Sequence, residues 1–86
     1  MWADAVFGFR LVVAPSTGRL RLLPPERFDR GVEVVLAGQA VAHVEQGGVH
    51  TPVLAPVAGR VSAVLGLEGE PVTRGTPLMQ IEPDAS

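Results

Sequence analysis

Apolar and polar positions alternate along most of the chain, and Gly or Pro interrupts the alternation every few residues. Residues 5–14, A-V-F-G-F-R-L-V-V-A, place Phe7, Phe9, Leu11 and Val13 on one side of an extended segment and Val6, Gly8, Arg10 and Val12 on the other. This period of two predicts a strand, with Phe7 and Phe9 closing one end of a core. Pro15 ends it, and Ser16-Thr17-Gly18 turns into a second strand, Arg19-Leu20-Arg21-Leu22. Pro24-Pro25-Glu26-Arg27 lacks two ladder donors and predicts a loop, pinned to the body by Phe28. Arg30-Gly31 leads into a strand over 32–36, and Ala37-Gly38-Gln39 is the next turn. A strand over 40–45 runs up to Gly47-Gly48, a dipeptide suited to a tight hairpin because both residues tolerate positive φ, and 49–54 returns. Ten glycines and eight prolines leave no window for an amphipathic helix, so the predicted class is all-β.

The pattern then restarts. Ala55-Pro56-Val57-Ala58-Gly59-Arg60-Val61 repeats the Ala, Pro, Gly and Arg of Ala14-Pro15-Ser16-Thr17-Gly18-Arg19-Leu20, and Gly75 to Glu82 echoes Gly38 to Glu45. A repeat of about forty residues made of short strands predicts two copies of one unit sharing a core. The expected architecture is a flattened barrel or sandwich of two four-stranded halves related by a pseudo-twofold axis. Its first repeat covers about residues 11–45, the hairpin 46–49 and the second repeat about 50–83, all in one domain over 1–86.

Composition removes several function classes. The chain has 86 residues, 47 % of them hydrophobic and 19 % charged, which suits one small globular core. Without cysteine there is no disulfide, thiolate metal site or cysteine nucleophile, and a cytoplasmic location is expected. No run of about 18 apolar residues is present to cross a bilayer, so no membrane partner is expected. A net charge of −2 with no basic run argues against nucleic acid. All seven basic residues are arginine, and lysine is absent.

Taken in order, Ala14-Pro15-Ser16-Thr17-Gly18, Val35 to Val41, Glu45 to Val49, Ala55-Pro56-Val57-Ala58-Gly59 and Gly69 to Leu78 resemble the biotinyl and lipoyl carrier domains, which are barrel-sandwich hybrids. Such domains read A-P-x-x-G in each half and E-A-M-K-M at the central hairpin. Glu45 and Ala55 stand at the family's spacing, so Gln46, Gly47, Gly48 and Val49 fall on the A-M-K-M positions and Gly48 on the modified lysine. Covalent attachment of biotin or lipoate needs an ε-amine, so the resemblance implies the fold without the cofactor. The first half also carries four extra residues, placed within 23–29. Some biotin carriers of acetyl-CoA carboxylases have a protruding insertion in this half, and the segment resembles a shortened form of it; a plain surface loop is the alternative.

The remaining candidates are weighed by type and spacing. Gly47-Gly48 is either a plain turn or a tip left bare for another molecule. His43 and His50 have no third ligand at useful spacing, so no metal is expected. Glu45 and Glu82 are repeat-related strand ends, which predicts equivalent structural roles and no catalytic pair. Trp2, outside the repeat, is a candidate contact for another chain. The expected function is a non-enzymatic, unmodified module that binds a protein partner, such as a multi-subunit carboxylase, through Gln46, Gly47, Gly48, Val49 and His50 together with Pro24, Pro25 and Trp2. Two alternatives are a small-molecule or metabolite binder using a groove between the proline loop and the hairpin, and a homo-oligomer formed through the N-terminal strand.

Overall fold

The computed structural model describes residues 8–84. Nine strands occur among them: β1 (Arg10–Val13), β2 (Gly18–Leu22), β3 (Arg27–Asp29), β4 (Val32–Val35), β5 (Ala40–Gln46), β6 (Val49–Leu54), β7 (Gly59–Val64), β8 (Pro71–Val72) and β9 (Pro77–Pro83). They form two antiparallel sheets, one in the order β1-β9-β7-β4-β3 and the other in the order β6-β5-β2-β8. With β3 set aside, the first order maps onto the second strand by strand, β1 on β6, β9 on β5, β7 on β2 and β4 on β8. Each half of the chain therefore contributes alternately to both sheets, and the halves interlock.

The pseudo-twofold extends to individual atoms. Leu20 pairs with Val44 across β2 and β5, and Val61 pairs with Ile81 across β7 and β9. The Gly38 N–H donates to the Ala55 carbonyl at 2.8 Å, and the Gly75 N–H donates to the Ala14 carbonyl at 2.8 Å. Gly18 and Gly59 are required by close approach: a Cβ on Gly18 would lie 2.6 Å from the Glu45 carbonyl oxygen, and one on Gly59 would collide with the Glu82 carbonyl oxygen. This is why A-P-x-x-G recurs: each glycine lets its strand lie closely against the end of a neighbouring strand, β2 against β5 at Glu45 and β7 against β9 at Glu82.

The core is built from the same pairs. Val12 and Val53, Ala14 and Ala55, Val35 and Val72, Val41 and Leu78, Ala42 and Met79, and Val44 and Ile81 are all buried, and buried Leu20 has half-buried Val61 as its counterpart. Each fully buried Val, Leu or Ile contributes roughly 1.5–3 kcal/mol from removal of apolar surface from water.

Three expectations need correction. Within the strand expected over 5–14, Gly8 and Phe9 lie outside β1, which runs from Arg10, and Gly8 turns the backbone with φ 65°; residues 5–7, Phe7 among them, lie outside the described residues. Phe9 is 43 % exposed and does not close the core, because the register of β1 on β9 turns Val12 inward and Leu11 and Val13 outward. Phe28 is 63 % exposed and pins nothing: it lies in β3, which pairs with β4 around an Arg30-Gly31 turn with both φ values positive. The insertion is thus partly a loop, at Leu23 to Glu26, and partly a fifth strand on one sheet edge.

Candidate functional site

Strands β5 and β6 are joined by two residues only. Gln46 pairs with Val49, and Gly47 and Gly48 between them have φ 58° and 82°, the left-handed pair that matches the twist of a two-residue hairpin. A Cβ added to either glycine would meet nothing within 4 Å. Gln46 and His50 are exposed, and Val49 is 65 % exposed. The tip is therefore rigidly framed by the strand ladder and sterically bare.

Below the tip, the outer face of the β5 sheet carries a charged network. The Glu45 carboxylate is 3.4 Å from Arg21 Nε through one oxygen and 3.7 Å from His50 Nε2 through the other. Arg21 continues to Glu68 at 3.4 Å, and Glu68 accepts a hydrogen bond from the Leu22 N–H at 2.6 Å. His43 meets His50 edge to face with ring centroids 5.8 Å apart. On the opposite sheet Glu82 pairs with Arg60 at 3.4 Å. Glu45 and Glu82 each sit in a solvated cross-strand ion pair, an arrangement that links neighbouring strands. Among the described residues no group of three or more His, Cys, Asp or Glu is placed to hold a metal ion.

The sequence-derived candidates do not form one site. Gln46, Gly47, Gly48, Val49 and His50 cluster at the tip, whereas Pro24 and Pro25 do not join them. The Leu23 N–H donates to the Val41 carbonyl at 3.2 Å, so the proline loop leaves the sheet at the other end of β5. Val41 is roughly 20 Å from the tip at the rise of a strand. The expected groove between the proline loop and the Gly-Gly hairpin is thus absent from the described residues. Pro24 and Pro25 instead line a separate pocket with Glu33, Val41, Val64 and Met79, in which no hairpin residue takes part. Trp2 lies outside the described residues, and the N-terminal strand forms a sheet edge from Arg10 onward.

Glu33, on β4, lines the same pocket although no motif of the sequence marks it. Burial raises its carboxyl above the ordinary glutamate range. The available signal was a charged residue in V-E-V-V whose alternation, continued from inward Val35, turns it toward the interior.

The family model for the biotin/lipoyl domain, described as biotin-requiring enzyme, matches residues 30–81, more than half of the chain. Among curated proteins no sequence matches significantly. Among solved structures, a single-chain, multi-domain long-chain acyl-CoA carboxylase is similar at 25 % identity with a TM-score of 0.75. The similarity covers 90 % of this chain and 7 % of that one, so the chain corresponds to a small part of the larger enzyme. The paired sheets, the repeated glycine crossings and the two-residue hairpin agree with these matches, and the chain belongs to the biotin/lipoyl domain family.

Proposed function

We propose that this domain is an unmodified biotinyl/lipoyl-like module that acts by protein interaction, as an accessory or scaffold element of a carboxylase or other multi-subunit enzyme, and that it is not itself catalytic. The observation that carries the reading is Gly48: an intact, open two-residue hairpin holds glycine at the family's lysine position, in a chain with no lysine at all. An amide to biotin or lipoate requires a primary amine, which glycine does not offer. What the tip retains is a rigid backbone flanked by an exposed valine and histidine, a surface that a partner can approach closely. The similarity to a segment of a multi-domain carboxylase supports a larger assembly as its setting.

Affinity capture from the native host tests this, using the wild-type chain beside a V49D/H50A tip variant of equal thermal stability. A stoichiometric protein retained by the wild type and lost from the variant is the expected result. Retention of the same protein by both removes the tip from the interaction, and capture of none by either refutes the module. A second reading, small-molecule binding, is supported by the pocket that contains Glu33, away from the tip.

A further inference from the structure

We infer that the pocket between the proline loop and the adjacent end of the barrel is a binding site for a small organic cation, an ammonium or guanidinium group carried on an apolar stem. The pocket has a volume of about 460 Å³, within the range of roughly 300–1,000 Å³ usual for small-molecule sites. Its wall is Leu22 to Pro25 on one side and Val41, Val64 and Met79 on the other, with Glu33 as the one charged group among the described residues that line it.

The repeat shows what is unusual about Glu33. Its counterpart in the second half is Glu70, whose carboxylate accepts a hydrogen bond from the Leu67 N–H at 2.6 Å and so closes its own turn. Among the described residues no side-chain hydrogen bond or basic partner engages the Glu33 carboxylate. In place of that turn the first half has the proline loop and β3, and the proline loop forms one wall of the pocket. Phe28 is directly opposite Glu33 across β3 and β4, so both side chains leave the same face of that hairpin, and Phe28 is 63 % exposed.

These features select the ligand by charge. A carboxylate set among apolar side chains favours a cation that brings its own apolar body. A neutral apolar ligand leaves the carboxylate unpaired, and an anion is repelled by it. The stem packs on leucine, proline and valine, while the charged head meets the Glu33 carboxylate.

The probe is n-hexylammonium, compared with n-hexanol and hexanoate, in titrations of the full chain followed by amide chemical shifts near pH 7.5. Saturable shifts should centre on Leu23, Glu33, Val41, Val64 and Met79, with the amine bound about tenfold more tightly than the alcohol, the ratio expected for one modest charge-assisted contact. Glu33→Gln should bring the amine down to the affinity of the alcohol while leaving alcohol binding intact, which also shows that the variant is folded. In the wild type, lowering the pH until Glu33 is protonated should remove the preference although the probe stays charged. The inference is overturned if hexanol or hexanoate matches the amine, if the preference survives Glu33→Gln or acid, or if the shifts fail to saturate or centre elsewhere.

Discussion

Placing lysine at Gly48 tests whether the tip is as open as the geometry requires. Gly48 has φ 82°, so an L side chain there incurs the left-handed penalty of roughly 1–2 kcal/mol. Replacing glycine also restricts the unfolded chain, which returns about 0.4–1 kcal/mol. Because a Cβ would meet nothing within 4 Å, no packing loss adds to this balance. The net cost of Gly48→Lys should be about 1 kcal/mol, or a fall in Tm of about 4–8 °C for a domain of this size. Gly18→Ala is the internal contrast. Its new Cβ would lie 2.6 Å from the Glu45 carbonyl oxygen and 2.7 Å from Val44 Cγ1, both in the framework of β5. Relief requires backbone movement, at about 3 kcal/mol. Urea unfolding of both variants reads the two numbers on one scale. A loss above 3 kcal/mol for Gly48→Lys, comparable with that for Gly18→Ala, would mean that the tip is packed, and the description of a bare hairpin would fail.

Three further outcomes follow from the same packing. Val44→Ala and Ile81→Ala remove repeat-related, fully buried side chains, and each should lower stability by about 2–4 kcal/mol in urea unfolding; a cost below 1 kcal/mol at either position would contradict the shared symmetric core. Glu45→Gln breaks contacts to Arg21 and His50 that are substantially solvated, so a change under about 1 kcal/mol is expected, and a larger one would show that the network holds the sheet together. Burial raises the pKa of Glu33 in the folded state, so its favourable contribution is present below the unfolded pKa and is lost as pH rises through the folded one. Unfolding measured across pH should accordingly show Glu33→Gln gaining on the wild type from the ordinary glutamate range upward, with the two converging in acid; a constant difference would contradict the burial of Glu33.

Much of the architecture was legible because the fold is symmetric and the symmetry is written in residues with steric roles. Gly18 and Gly59 had to be glycine for the crossings, and Gly38 and Gly75, with φ 85° and 93°, had to make equivalent turns, so the repeat was visible without any structure. Alternation alone could not choose the inward face of β1. Leu11 and Val13 look as apolar as Val12, and only the register against β9, carried by Val12 opposite Met79, settles which side is buried. The β3 strand was missed because the insertion has no partner in the second half to reveal it, and because Pro24-Pro25 dominates its local signal. The tip could be aligned because hairpin length is conserved by the ladder itself, Gln46 opposite Val49. Its separation from the proline loop was not readable, since it depends on which end of β5 receives Leu23.

The central claim is that the carrier hairpin is present and bare, and mass spectrometry of the protein from its native host addresses it directly. Cleavage at arginine releases residues 31–60 as one peptide, containing β4, β5, the Gly47-Gly48 turn and β6 without an internal arginine or lysine. This peptide should carry only its polypeptide mass. A stoichiometric biotinyl, lipoyl or other acyl adduct on it would show that the hairpin is modified.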